Sequence, residues 1–232
     1  MENGAIVSVI GPNGAGKSTL FKLISSFVPP TSGRVSFNGH TITGMPPHEV
    51  ARRGVVRAFQ ETTIFKEMTA MQNVIVAHQL RCRASSPGVY FSSATARADE
   101  ERFQISAAEI LEYLGLGAMK FTIAGNLSHG NLRALGIAVA MAEPKVLLLD
   151  EPFAGMNVEE TDAAVKMVRG IRDRGVTVIL VEHDMSAVVR ISDKIVVLNF
   201  GTKIAEGTPS EIQQNESVIE AYLGQADEEI GH

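Results

Sequence analysis

Eight residues near the start of the chain limit its possible folds more than any others. They read Gly11-Pro12-Asn13-Gly14-Ala15-Gly16-Lys17-Ser18 and match the pattern G-x-x-x-x-G-K-[ST] in full. The apolar run Ala5 to Ile10 precedes them and predicts a buried strand, and Thr19 to Phe27 predicts a helix that ends at Pro29-Pro30. A strand before and a helix after form the context in which this pattern wraps around phosphate.

The chemistry of such a loop follows from its residue types. Glycines let successive backbone N–H groups turn inward around phosphate oxygens, and the helix that starts near Gly16 points its positive end at the same anion. Lys17 places a charge on the β and γ phosphates, and the Ser18 hydroxyl can ligate Mg²⁺. We therefore expect a site for ATP and Mg²⁺, with Thr19 included among its residues. The alternative, a glycine-rich turn with a chance lysine, is disfavoured by the flanking strand and helix.

A pair of carboxylates follows a second apolar run. Val146 to Leu149 predicts a buried strand, and Asp150 and Glu151 come directly after it. Ligands of parallel sheets bind outside the carboxyl ends of the strands, so this pair can face the same crevice as the phosphate loop. Asp150 would hold Mg²⁺ through water, and Glu151 would act as general base, a role worth roughly 10²–10⁴ in rate. A solvated acidic turn is the alternative.

Two further polar residues are candidates. His183 follows the predicted strand Val176 to Val181, where a contact with the γ-phosphate is possible. A structural histidine is the equally open alternative. Gln60, by composition alone, is an ordinary surface amide.

The order of elements predicts the fold class. Strands that are apolar on both faces alternate with helices, which indicates an α/β fold with a parallel sheet covered by helices, the P-loop NTPase architecture. The 232 residues suffice for one such domain, with 1–60 and 143–232 as catalytic core and 61–142 as a mainly helical subdomain. Within the core, Asn157 with Glu160 and Thr208 with Glu211 predict capped helix starts. A helix is also expected over Ala96 to Leu114 and a loop over Ala84 to Ser93.

The composition of the chain argues against several classes of protein. A net charge of −5 argues against a nucleic-acid binder, and the single cysteine, Cys82, excludes an internal disulfide. No stretch has the ~20 apolar residues that span a bilayer.

With these residues in view, the chain resembles the ATPases of ABC transporters, and most closely the ATP-binding subunits of branched-chain amino acid transporters. Beyond the phosphate loop and acid pair, the resemblance rests on a Q-loop (Arg57 to Gln60), a signature (Leu127 to Asn131), a D-loop (Ala154 to Asn157) and a switch histidine in Val181 to Met185. The resemblance to the branched-chain amino acid transporter subunits in particular rests on three stretches. These are Ile64 to Thr69, the sequence of the D-loop at Ala154 to Asn157, and Val218 to Gly224. Lipopolysaccharide-export ATPases share parts of these stretches.

The resemblance implies a mechanism and partners. Two ATPase subunits would pair head to tail, as a homodimer or, as we expect, a heterodimer, and Ser128 and the Gly130 amide would touch the γ-phosphate across the interface. Glu151 and His183 would drive hydrolysis, while Gln60 would ligate Mg²⁺ and couple to the membrane. Two permease chains and an external solute-binding protein complete such systems. The subunit would be cytoplasmic and peripheral on the inner face of the membrane.

The chain departs from the family at three places, one of which is Val139, where the helix after the signature usually has an arginine. Family members carry a strand hairpin with an adenine-stacking aromatic before the phosphate loop, but residues 1–10 hold no Phe, Tyr or Trp. A truncated chain, a misassigned start and poor adenine binding stay open as explanations. The signature reads Ser128-His129-Gly130-Asn131, and Asn131 is one methylene shorter than the usual glutamine. We therefore expect slowed hydrolysis.

Other functions stay open at this point. The ATPase could serve another ABC system, such as lipopolysaccharide export or urea and amide uptake. A soluble ABC ATPase of translation or DNA repair fits less well, because those proteins carry two cassettes or a long coiled coil. A weakly active or degenerate nucleotide-binding protein is the alternative from a different class. Turnover compared with a Glu151→Gln variant distinguishes it, because a mere binder would show no difference.

Overall fold

A computed structural model describes residues 4–58, 64–79 and 94–229, with side chains described up to Tyr222. The chain divides into two compact units, one formed by residues up to Val50 and from Lys145 onward, the other by Ala51–Pro144. The assignment of residues 61–142 to a helical subdomain stays a prediction. Residues 84–93, where a loop is expected, lie outside the described segments.

Among the described elements, strands and helices alternate strictly over residues 146–199. The strands are β1 (Ile6–Ile10), β2 (Ser36–Phe37), β3 (His40–Thr41), β4 (Val55–Ala58), β5 (Val146–Asp150), β6 (Thr177–Val181), β7 (Lys194–Asn199) and β8 (Thr202–Gly207). The helices are α1 (Lys17–Ile24), α2 (Pro47–Arg52), α3 (Ala70–His78), α4 (Ala94–Tyr113), α5 (His129–Ala140), α6 (Val158–Asp173), α7 (Met185–Ile191), α8 (Pro209–Gln213) and α9 (Glu216–Glu229).

The first unit is built on strands in the order β5-β6-β1-β7-β8. The pairs β5–β6, β6–β1 and β1–β7 are parallel, as the apolar runs predict. Every residue of β1 and β6 is buried, because helices cover both faces of a parallel sheet.

The edge strand β8 departs from the expected parallel sheet, because it pairs with β7 in the antiparallel direction. Asn199 pairs with Thr202, so the turn between the strands consists of Phe200 and Gly201 alone. Both have positive φ, 44° and 77°, which is the geometry of a two-residue hairpin turn. The antiparallel pairing follows from the shortness of this turn.

Helix α1 is shorter than the sequence predicts. It begins at Lys17 rather than Thr19 and ends at Ile24, well before Pro29. Ser26 adopts a left-handed φ of 60°, and the Phe27 N–H donates to the Lys22 carbonyl at 2.8 Å. This arrangement caps the helix through its own carbonyls, so the helix stops without the prolines.

The predicted helix caps are confirmed. Asn157 accepts from the Glu160 N–H at 2.9 Å while the Glu160 carboxylate accepts from the Asn157 N–H at 2.9 Å, which is a complete capping box at the start of α6. Thr208 and Glu211 form the same box on α8. The apolar residues of α6 recur at helical spacing and are buried: Ala164, Val165, Val168 and Ile171.

The second unit is mainly helical in its described part and contains β4 and α3 to α5. Helix α4 starts two residues before the predicted Ala96. The His78 ring of α3 stacks on Phe103 of α4 with 5.2 Å between ring centroids. Across residues 4–58, 64–79 and 94–229, no helix has the length and apolar character to cross a membrane.

Candidate functional site

The strand register of the first unit brings three chain segments to one edge of the sheet. Val181, the last residue of β6, pairs with Asp150 of β5 on one side and with Val9 of β1 on the other. The residues that follow these strands are therefore neighbours: Gly11 after β1, Glu151 after β5 and Glu182 after β6. The carboxyl edge of a parallel sheet is where ligands of such folds bind.

The phosphate loop fits closely against the β7–β8 hairpin. A Cβ added at Gly11, where φ is 150°, would lie 2.1 Å from the Leu198 carbonyl oxygen, so a side chain has no room there. On the other side of the loop, the Gly201 N–H donates to the Ala15 carbonyl at 3.0 Å. Gly16 follows with a φ of 95° as the N-cap of α1. The hairpin thus holds the loop in shape from outside.

Lys17 lies inside this loop. It is 6% exposed, and its Nζ donates to the carbonyls of Gly11 at 2.7 Å and Pro12 at 2.9 Å. Burial lowers the pKa of Lys17, and the charges of Glu151 and Asp150 oppose that change. The ammonium group is therefore held near two carboxylates in a position that favours an anionic ligand.

Glu151 and His183 face each other beside the loop. His183 Nε2 lies 3.1 Å from Glu151 Oε1, and both side chains are partly exposed, so a ligand can reach them. Glu151 adopts a left-handed φ of 49°, which is costly for a residue with a Cβ, and its N–H donates to the Val181 carbonyl at 2.9 Å. Such backbone strain is common at functional sites, where the surroundings hold it in place.

Two carboxylates next to His183 were not among the predicted site residues. Glu182 is buried and accepts from the Phe153 N–H at 2.7 Å and from the His183 N–H at 3.0 Å. Burial raises the pKa of Glu182, its backbone donors lower it, and the charge of Glu151 raises it further. Asp184 caps α7 by accepting from the Ser186 and Ala187 N–H groups. A hydrogen bond from the Ser186 side chain is the main cause of the lowered pKa of Asp184.

The other predicted site residues lie elsewhere. Gln60 falls outside the described residues. Ser128 and Gly130 belong to the second unit, where Ser128 Oγ accepts from the Asn131 N–H at 3.3 Å and caps α5. A Cβ at Gly130 would meet nothing within 4 Å, so the start of α5 is open. The Asn131 side chain donates to Met119 Sδ at 3.2 Å.

A magnesium ion held with a triphosphate is compatible with the donors at the sheet edge. The described residues contain no cluster of three or more His, Cys, Asp or Glu that could hold a metal unaided. Ser18 and Asp150 supply a hydroxyl and a carboxylate, which are hard oxygen donors. Mg²⁺ binds through one or two such groups together with phosphates and waters.

Sequence comparisons relate this arrangement to known proteins. Residues 1–154 match the family model described as ABC transporter, and residues 202–228 match one described as branched-chain amino acid ATP-binding cassette transporter. The high-affinity branched-chain amino acid transport ATP-binding protein BraF of Pseudomonas aeruginosa is 43% identical over 97% of this chain and 89% of its own length. LivG of Escherichia coli K12, with the same description, is 42% identical over 95% and 88%.

More distant relatives and solved structures agree on the fold. The lipopolysaccharide export system ATP-binding protein LptB of Escherichia coli K12 is 32% identical over 97% of this chain and 88% of its own. A crystal structure of an ABC transporter ATP-binding cassette in its ADP conformation superposes with a TM-score of 0.80 at 32% identity, covering 96% of this chain and 89% of that one. A nucleotide-free cassette gives the same TM-score at 30% identity, covering 95% and 88%.

Proposed function

Since the chain belongs to the ABC transporter family of ATP-binding cassettes, we propose that it binds and hydrolyses ATP to power an importer of branched-chain amino acids. The observation that carries the proposal is the grouping of Lys17, Glu151 and His183 at one sheet edge, with 3.1 Å between the Glu151 and His183 side chains. A phosphate-binding amine, a carboxylate base and a histidine within one crevice are the groups that hydrolysis of a γ-phosphate requires.

Each group has a separate role in the proposed reaction. The backbone N–H groups of Gly11 to Thr19 and the Lys17 ammonium hold the β and γ phosphates. Glu151 orients the attacking water and accepts its proton. His183, in contact with Glu151, holds that carboxylate and the γ-phosphate in the reactive arrangement. Both side chains are partly exposed, so water and phosphate can reach them.

Magnesium would be held at Ser18 and Asp150, with Gln60 as a third residue, and it would offset the negative charge on the phosphates. Ser18 and Asp150 are close to Lys17 in the chain fold, and hard oxygen donors of this kind suit the ion.

A second subunit completes the proposed site. Ser128 and the Gly130 amide at the start of α5 would contact the γ-phosphate bound to the partner's phosphate loop. The helix start is open, and its N–H groups and dipole favour an anion. The partner is a second ATPase chain, with two permease chains and an external solute-binding protein. The assembly would hold this chain at the inner face of the membrane.

Branched-chain amino acids are the solute class that the relatives favour. Proteins described as branched-chain amino acid transport subunits are 42–43% identical to the chain, whereas the lipopolysaccharide-export relative is 32% identical. The family model matched by residues 202–228, which is described as branched-chain amino acid ATP-binding cassette transporter, also favours this solute class. Lipopolysaccharide export is the second candidate.

ATP turnover tests the enzymatic part. We expect Glu151→Gln to bind ATP normally and to lower kcat by roughly 10²-fold or more, since removing a general base costs about 10²–10⁴. Glu159→Gln, at an exposed position of α6, is the matched control and should keep full turnover. Equal rates for Glu151→Gln and the native chain would contradict hydrolysis at this site.

Uptake in the native host tests the solute. Deleting the gene should abolish high-affinity leucine, isoleucine and valine uptake, and the native gene but not Glu151→Gln should restore it. Normal uptake together with a lipopolysaccharide defect at the cell surface would favour the second candidate and contradict the importer.

A further inference from the structure

Glu182 is a carboxylate buried at the end of β6, and the proposed hydrolysis gives it no role. It is 3% exposed. Its Oε1 accepts from the Phe153 N–H at 2.7 Å, and its Oε2 accepts from the His183 N–H at 3.0 Å. One side chain therefore bonds to the main chain of two segments, the turn that follows β5 and the segment that carries His183.

The turn after β5 is fixed to β6 at both of its ends. The Glu151 N–H donates to the Val181 carbonyl at 2.9 Å, and two residues later the Phe153 N–H donates to Glu182. Between these two bonds, Glu151 adopts its left-handed φ of 49°. A backbone conformation of this kind persists only when its surroundings hold it firmly.

A carboxylate in this position is not explained by packing. The five residues of β6 before it are buried, and an apolar side chain would continue the strand at lower desolvation cost. Burial raises the pKa of Glu182, and the nearby charge of Glu151 acts in the same direction. The carboxylate provides two acceptor oxygens, one for the Phe153 N–H and one for the His183 N–H.

We propose that Glu182 is a positioning residue of the ATPase, whose two oxygens fix the Glu151 turn and the His183 segment so that the two side chains meet. The inference rests on the proposed function, because it concerns the alignment of the groups that carry out hydrolysis. It assigns Glu182 no contact with ATP.

The Glu182→Gln variant of the full chain is the main test. Glutamine has the same size but one acceptor oxygen, so it can serve only one of the two N–H groups. We expect kcat to fall by about 10- to 100-fold, as small misplacements of catalytic groups do, while the Kd for ATP changes by less than about twofold. Glu159→Gln is the matched control. An unchanged kcat, or equal losses in kcat and ATP affinity, would overturn the positioning role.

Amide hydrogen exchange gives a second readout that does not depend on turnover. In Glu182→Gln, protection should fall at the Phe153 or His183 amide, while β1 and β7 keep theirs. Unchanged protection at both amides would overturn the inference. If the native chain itself showed no turnover, the proposed function would fail, and amide exchange would decide the role of Glu182 separately.

Glu182→Asp covers the case in which the glutamine variant does not fold. Aspartate retains two acceptor oxygens but is one methylene shorter, so we expect a kcat between those of the native chain and Glu182→Gln. Turnover of Glu182→Asp equal to that of the native chain, with both amides losing protection, would show that the bonds do not position the catalytic groups.

Discussion

Gly11 and Gly14 belong to the same phosphate loop, but their surroundings differ. A Cβ at Gly11 would collide with the Leu198 carbonyl, whereas a Cβ at Gly14 would meet nothing within 4 Å. Both have positive φ, 150° and 76°, so both substitutions carry backbone strain. Only the substitution at Gly11 also brings a Cβ into collision with backbone atoms, which cannot rotate away as a side chain can.

We expect Gly11→Ala to lower the free energy of unfolding by about 2–4 kcal/mol and Gly14→Ala by about 1 kcal/mol. Gly11→Ala should also weaken ATP binding, because the loop moves away from the hairpin. Chemical denaturation of the two variants beside the native chain measures the difference. Equal destabilisation would mean that the loop and hairpin are not in contact.

Glu206 on the exposed side of β8 offers a test of electrostatics at a single residue. It accepts hydrogen bonds from Lys194 and Lys203, and these lower its pKa from 4.5 to about 2. A carboxyl whose folded pKa is depressed stabilises the fold above its unfolded pKa and loses that contribution as pH falls toward the folded value.

The native chain should therefore be more stable than Glu206→Gln at pH 6, and the difference should shrink as the pH falls from about 4.5 toward 2. Denaturation of both proteins across this range provides the measurement, with Glu159→Gln as control. A difference that grows at low pH would contradict the assigned ion pairs.

The C-terminal helix α9 links the end of the chain to the phosphate loop. Tyr222 packs against a buried cluster that includes Ile10, Val188 and Val197. Burial raises the pKa of the Tyr222 hydroxyl, and a hydrogen bond from the Gly11 backbone lowers it. The Gly11 carbonyl is thus held by Lys17, and the Tyr222 hydroxyl lies beside the Gly11 backbone.

Tyr222→Phe should keep the packing of α9 and remove only the hydroxyl beside the Gly11 backbone. We expect the Kd for ATP to rise by about 3- to 10-fold, which corresponds to the net contribution of one hydrogen bond. Isothermal titration with ATP measures the change, and Tyr113→Phe in the second unit is the control. An unchanged Kd would show that the Tyr222 hydroxyl does not support the loop.

The sequence predicted elements whose signals are local. The buried strands, the caps at Asn157 and Thr208, and the phosphate-loop context each depend on residues within a few positions of one another. The end of α1 was missed because Ser26 is not a usual residue for a left-handed cap. The site role of Glu182 was missed because its partner Phe153 is far away in sequence, although a carboxylate directly after five buried residues was a usable signal.

At the scale of the whole molecule, the signature segment is where the chain would contact the proposed partner ATPase. Ser128 caps α5, and the Asn131 side chain contacts Met119 within its own unit. A glutamine at position 131 is longer by one methylene and could extend beyond that contact.

If the short side chain slows hydrolysis in the assembled transporter, Asn131→Gln should raise kcat by about 2- to 10-fold with ATP affinity unchanged. Steady-state turnover of the complex containing either chain tests this, and Asn215→Gln, outside the signature, is the control for the added methylene. No gain for Asn131→Gln would mean that asparagine is fully competent in this signature.

Lys17 also has a consequence for the timing of the reaction cycle. Its ammonium already bonds to two carbonyls of its own loop, so an arriving triphosphate competes with contacts made inside the protein. The association of ATP with the chain should therefore be slower than diffusional encounter, because Lys17 Nζ must break its bonds to the loop carbonyls before it binds phosphate. The same two bonds hold the loop in the shape that receives the phosphates, which lowers the cost of ordering it on binding.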